Sequence, residues 1–122
     1  MLQGAIVAKL RKFKMVDKYR TFYKVQPYAL FAGDDQHDTV TLLLDDCCRE
    51  LIKLYEAAKK KPTKTSLKKT CSQCMNELMK APINTENREF GYELCWYLSE
   101  IVQVDLLKTS SSKKWGYKRI HL

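Results

Sequence analysis

A run of apolar residues at helical spacing, between Thr85 and Leu107, constrains this chain more than any other feature. Its large apolar side chains share one side of a 3.6-residue period: Phe90, Leu94, Tyr97, Leu98, Ile101 and Val104. Such a stripe is typical of a helix with one face in a core. Thr85 is a suitable N-cap, because its hydroxyl can accept hydrogen bonds from free amides of the first turn. The sequence therefore predicts a long helix over 85–107.

Three further segments show helical apolar patterns, and they predict helices over about 2–23, 38–60 and 65–80. Prolines separate these segments, since proline removes a backbone donor and interrupts a helix. Pro27 follows the first predicted helix, and Pro62 lies between the second and the third. The short connections favour antiparallel neighbours.

Length and composition fit a compact helical protein. A chain of 122 residues with 45% hydrophobic residues has the size of one domain with one core. The fold prediction is therefore an all-α, single-domain bundle of about four helices spanning 1–122. Trp115 and Tyr117 are too apolar for a free end, so we expect the short tail, 113–122, to pack back on the bundle.

Cysteine use and hydropathy give an expectation for the compartment. Five cysteines, two of them adjacent, do not suggest a disulfide framework, and free thiols indicate a reducing compartment. No apolar run is as long as a membrane span. The N-terminus has its apolar run before its charges, the reverse of a signal peptide. We therefore expect a cytoplasmic protein that does not contact a membrane.

No constellation of residues predicts a reaction, so we expect a protein that is not an enzyme and uses no cofactor. Cys71 and Cys74 have the CxxC spacing, but no second short-spaced pair completes a zinc site. Both cysteines fall on the apolar side of the third predicted helix, which favours buried core thiols and no metal. The two histidines, His37 and His121, have no acid or nucleophile at a recognisable motif spacing.

The other side of the 85–107 helix alternates acids with large aromatics: Glu89, Tyr92, Glu93, Trp96 and Glu100. Aromatic residues are enriched in protein-binding surfaces, so this side is the candidate partner-binding face. The alternative is that the Trp115 tail covers it, because large aromatics are seldom left bare.

A second candidate surface is strongly basic. Between Lys59 and Lys69 the chain has six lysines and no acid, within a formal net charge of +8. The candidate phosphate-binding residues are Lys59, Lys60, Lys61, Lys64 and Lys68. We call this segment, 59–69, the lysine corner. Such a patch can bind nucleic acid through phosphates in a salt-dependent way, although it is also typical of a solvated helix end.

The segment 40–117 resembles a family of small bacterial proteins known only as a domain of unknown function. The matching motifs are Pro62-Thr63, Asn84 to Glu89, Cys95 to Val102, and Trp115-Gly116-Tyr117. The chain departs from the family pattern at 107–110, where the family tends to be acidic and contains glycine. The resemblance implies a small helical bacterial protein encoded beside a secreted toxin and acting as its immunity protein.

The leading functional expectation is thus a non-enzymatic bacterial binding protein, most concretely an immunity protein that occludes the active site of a cognate toxin. The alternative is a basic nucleic-acid-binding or phage-type accessory protein that uses the lysine corner.

Overall fold

The computed structural model describes residues 3–19 and 34–106, which form an all-α bundle. Its helices are α1 (Gln3–Met15), α2 (Asp34–Ala57), α3 (Lys64–Lys80) and α4 (Thr85–Ile101). No strand occurs within these two ranges. The predicted all-α bundle of about four helices is confirmed. The predicted tail, 113–122, lies outside the described residues.

Helix α2 is in contact with each of the other three helices. Arg11 of α1 pairs with Glu56 near the end of α2, whereas Lys18, beyond α1, pairs with Asp45 in the middle of α2. The two helices therefore run antiparallel. Because α2, α3 and α4 are joined by short connections, the end of α2 and the start of α3 meet at one end of the bundle.

The core follows the predicted apolar faces closely. Helix α1 contributes Ile6, Leu10 and Phe13, and α3 contributes Leu67, Cys71, Cys74 and Leu78, all buried. On α2 the apolar spacing predicts a face of Val40, Leu44, Cys47, Leu51, Leu54, Tyr55 and Ala58. The structure buries most of this face and also buries Cys48 and Ile52, which lie outside it. Helix α4 differs from prediction most, since every residue from 90 to 99 is buried. It is therefore a central helix and not one with a single buried face.

The first predicted helix, 2–23, is too long at its C-terminal end. Helix α1 ends at Met15, and the backbone at Val16 and Asp17 is not helical. The Lys18 ammonium turns back and donates to the carbonyl oxygens of Lys14, at 3.1 Å, and Val16, at 3.3 Å. These contacts satisfy carbonyls left free at the helix end. Residues 20–33 lie outside the described part of the chain.

The ends of α2 and α3 are set by local polar contacts. Helix α2 starts at Asp34, four residues earlier than predicted, and ends three residues earlier, at Ala57. Asp35, in the first turn, lies at the positive end of the helix dipole, which stabilises its carboxylate. Helix α3 begins at Lys64, one residue before the predicted start, after an N-cap at Thr63 whose hydroxyl accepts a hydrogen bond from the Ser66 amide.

Helix α4 begins as predicted but ends six residues early. Its N-cap is Asn84 and not Thr85 as predicted: the Asn84 side-chain oxygen accepts from the Asn87 amide at 2.8 Å, and Thr85 is the first helical residue. At the other end Gln103 has a φ of 62°, and the amides of Gln103 and Val104 donate to Glu100 and Ser99. This pair of hydrogen bonds is a Schellman motif, which usually places glycine at the left-handed position. The motif turns the chain out of the helix after Ile101.

A close approach fixes the α3–α4 pair. A Cβ atom at Gly91 would lie 2.7 Å from a methyl carbon of Leu78, so a larger residue at position 91 would require the Leu78 side chain to move. Arg88 reinforces the contact by donating to the carbonyl oxygens of Leu78, Ala81 and Ile83. The arginine thereby satisfies free acceptors at the end of α3.

Candidate functional site

The lysine corner forms the connection from α2 to α3 and the first part of α3. The side chains of all five candidate phosphate-binding residues are exposed, as is Lys69: Lys59, Lys60, Lys61, Lys64, Lys68 and Lys69. Pro62 separates the lysines of the connection from those of the helix. The turn therefore brings six ammonium groups to one end of the bundle, where they can face the same ligand.

The positive charge of the lysine corner is not neutralised by ion pairs with acidic residues in the described part of the chain. Within residues 3–19 and 34–106, the ion pairs use four other basic residues: Arg11, Lys18, Arg49 and Lys53. Helix α3 also has no acidic residue in its first turn. The partial positive charge of the α3 N-terminus adds to that of the lysines. The corner is a concentrated positive surface.

A groove with acidic residues along its edge lies between α2 and α3. It encloses about 170 Å³ and is lined by Leu43, Asp46, Cys47, Glu50, Thr70, Gln73, Cys74 and Glu77. We call it the α2–α3 groove. Its carboxylates are Asp46, Glu50 and Glu77, of which the first two pair with Arg49 and Lys53. The groove therefore combines an acidic rim with two thiols.

The predicted partner-binding face of α4 requires correction. Tyr92, Glu93 and Trp96 are 4%, 1% and 5% exposed, so the expectation that they present an accessible surface is wrong. Glu89 is half-buried, and Glu100 alone of the five is exposed. The alternation of acids with aromatics indicated a surface, but α4 is central and buries both of its sides. Whether any of the five contacts a partner stays a prediction.

A buried polar cluster links α1, α2 and α4. The Lys18 ammonium lies 2.5 Å from the Asp45 carboxylate and 4.7 Å from the centre of the Phe13 ring. The Tyr19 hydroxyl donates to the Asn87 side-chain oxygen at 2.7 Å, and its ring stacks on His37. Burial raises the pKa of Tyr19. The Lys18–Asp45 and Tyr19–Asn87 hydrogen bonds indicate a structural role for the cluster, whereas the buried Nε2 atom of His37 has no hydrogen-bond partner in the described part of the chain.

All five cysteines are free and buried. The Sγ atoms of Cys74 and Cys95 are 3.1 Å apart, and the Cys48 thiol donates to the Leu10 carbonyl oxygen at 2.9 Å. Burial raises the pKa of Cys95, and it raises that of Cys48 to about 12. Both cysteines of the CxxC pair lie in the core, as their spacing predicts. In the described ranges no group of three or more His, Cys, Asp or Glu residues could hold a metal ion.

Comparisons with protein-family models, curated proteins and solved structures find no match for this chain. The family resemblance and the immunity role it implies therefore stay predictions. In the part of the chain described by the structure, no helix is long and apolar enough to cross a membrane.

Sequence reasoning missed the α2–α3 groove and the Lys18 cluster. The groove residues on α2 recur at spacings of three and four, which is a detectable signal, but they mix acids, a leucine and a cysteine. The Lys18–Asp45 pair joins residues 27 positions apart. No local pattern predicts such a pair, because it depends on how α1 and α2 pack.

Proposed function

We propose that this chain is a non-enzymatic binding protein that engages nucleic acid through the lysine corner. The observation that supports this proposal is a set of six exposed lysines, with no ion-pair partner among the described residues, at one turn of the bundle. Tyr92 and Trp96 are almost fully buried and offer little surface to a protein partner. A cytoplasmic location is part of the proposal and is supported by the five free thiols.

The physical basis is counterion release. A phosphate backbone holds condensed cations, and each lysine that replaces one of them releases it to solvent. Lysine presents a compact charge without the planar fork of arginine. Contacts from the corner would therefore bind phosphates without reading bases, and the proposal is for sequence-independent affinity.

The test is fluorescence anisotropy of a labelled DNA duplex across a range of salt concentrations. For the wild type, log affinity should fall linearly with log salt. The corner variant combines Lys60→Gln, Lys61→Gln and Lys64→Gln. It should lower the magnitude of the slope by up to about 3, since each lost phosphate contact removes about 0.9.

A matched control removes the same charge outside the lysine corner. Lys12→Gln, Lys14→Gln and Lys80→Gln alter exposed lysines near the ends of α1 and α3. The control should keep most of the wild-type slope. Equal losses in the two variants, or no wild-type binding at physiological salt, would count against the lysine corner.

A second candidate is the immunity role, which the α2–α3 groove favours. Asp46, Glu50 and Glu77 line a concave surface that suits a basic patch on a nuclease-type toxin. Co-expression with the toxin encoded by a neighbouring gene should protect cells if this role is correct. Asp46→Lys together with Glu77→Lys should then abolish protection, whereas protection that survives both changes would remove the groove from the mechanism.

A further inference from the structure

Four of the five thiols meet where three helices pack. Cys47 comes from α2, Cys71 and Cys74 from α3, and Cys95 from α4. The Cys74 and Cys95 sulfurs are 3.1 Å apart, with the Cys95 thiol as donor. The Cys47 thiol donates to the Thr70 carbonyl oxygen at 4.0 Å, and the thiols of Cys71 and Cys74 are near enough to shift its pKa. Cys48 faces the opposite way, toward α1, and donates to the Leu10 carbonyl.

Access from solvent distinguishes the members of this cluster. The α2–α3 groove is lined by Cys47 and Cys74. Cys95 is fully buried behind them and does not line the groove. Both of these groove residues lie beside thiols of a neighbouring helix, but Cys74 is the one whose sulfur has a hydrogen-bonded thiol at 3.1 Å, that of Cys95. A small molecule in the groove can reach Cys74, and Cys95 can then meet it from behind.

We propose that Cys74 and Cys95 are an oxidative modification site, at which a peroxide converts the two thiols into a reversible disulfide between α3 and α4. In the first step the Cys74 sulfur attacks one peroxide oxygen and the O–O bond breaks. This gives a sulfenic acid at Cys74 and one water. The Cys95 sulfur then attacks the Cys74 sulfur and displaces its oxygen as a second water, which takes up the Cys95 proton. The two sulfurs together lose two electrons, which reduce the peroxide.

The pairing follows from geometry. A disulfide needs its sulfurs to approach closely and its β carbons to face each other, and a direct sulfur contact between two helices meets that need better than the pairs on one helix. The CxxC spacing of Cys71 and Cys74 suggests the other pairing, but both of these residues lie on α3.

The local environment sets the rate of the first step. At Cys74, hydrogen bonding with Cys47 lowers the pKa, but hydrogen bonding with Cys95 and burial outweigh it and hold the pKa well above its ordinary value. The thiolate is the nucleophile, so oxidation should be slow at neutral pH and should accelerate as the pH rises. The disulfide would close a loop from residue 74 to residue 95 and restrict the unfolded chain.

To test this, the folded wild-type protein is treated with hydrogen peroxide, and its peptides are then mapped by mass spectrometry without reduction. The expected product has lost two hydrogens and links the Cys74 and Cys95 peptides, and dithiothreitol reverses it. Its thermal midpoint should be higher by several degrees, since a loop of about this length is constrained in the unfolded state.

Two variants assign the order of attack. Cys95→Ser should stop at a sulfenic acid on Cys74, which dimedone traps, whereas Cys47→Ser should still form the Cys74–Cys95 link. Thermal melts establish that both variants are folded, and Cys95→Ala replaces Cys95→Ser if the hydroxyl is not tolerated in the core. A wild-type link between any other pair, overoxidised thiols with no link, or a folded protein inert to peroxide at alkaline pH would overturn the proposal.

Discussion

Helix α4 and the lysine corner differ in the exposure of their charged and aromatic residues. The helix has acids and large aromatics along a side that was predicted to be exposed, yet residues 90 to 99 are all buried. The corner has lysines without matching acids, and all of them remain exposed. Apolar periodicity in the sequence therefore locates one buried face of a helix, but it does not show whether the other side of the helix is also covered.

The difference has an energetic meaning. Burying the aromatic and aliphatic surface of α4 contributes directly to stability, because apolar area leaves water. The lysines remain in water and contribute little to folding, which leaves them available for a ligand. Perturbing α4 should therefore change stability, and perturbing the corner should change binding.

The largest expected effect is a loss of stability at alkaline pH. The four clustered thiols are buried, and their pKa values lie above the ordinary range. The folded-state pKa values of Cys47, Cys71, Cys74 and Cys95 are raised. Their contribution is present below the unfolded pKa, near 8.5, and is lost as the pH rises toward the folded value. The free energy of unfolding should therefore fall as the pH rises above about 8.5.

Urea unfolding under reducing, oxygen-free conditions measures this effect. Between about pH 6 and pH 8 these thiols should leave the free energy of unfolding unchanged, because they are protonated in both states. A free energy of unfolding that stays constant from about pH 8 to pH 10 would show that the thiols are not held in a buried, protonated state.

The next effect is truncation of a buried aromatic. Trp96→Ala should lower the free energy of unfolding by about 3 to 5 kcal/mol, since it removes a large packed side chain. Leu42→Ala is the control: this leucine is 62% exposed on α2, and its loss should cost at most about 0.5 kcal/mol. Denaturant melts of the two variants compare them. Equal small costs would mean that Trp96 lies on an accessible surface after all.

The sequence predicted the helix class and most of the core, because apolar spacing and prolines are local signals. The break at Pro62 and the burial of Phe90, Leu94 and Leu98 follow from such signals. The burial of Trp96 was not predictable in this way, since it depends on packing from other parts of the chain. The lysine corner was found from sequence because a run of like charge stays in solvent regardless of tertiary packing.

A smaller effect concerns the end of α4. Gln103 occupies a left-handed backbone position with a φ of 62°, where a side chain is costly and glycine is not. Gln103→Gly should raise the free energy of unfolding by up to about 1 kcal/mol, with part of the gain offset by greater freedom of the unfolded chain. Gln73→Gly, in the interior of α3, is the opposite control and should destabilise by about 1 kcal/mol. A loss of stability in Gln103→Gly would contradict the assignment of the Schellman motif.

The most direct test of the division between a structural α4 and a binding corner is an NMR titration of the labelled protein with a DNA duplex at moderate salt. We expect the amide shifts to concentrate in the lysine corner, residues 59–69, which includes the first turn of α3. These shifts should vanish when the salt concentration is raised. Amides of residues 90–99 should move little, because that part of α4 is buried. Shifts centred on α4 with the lysine corner unperturbed would contradict the central claim.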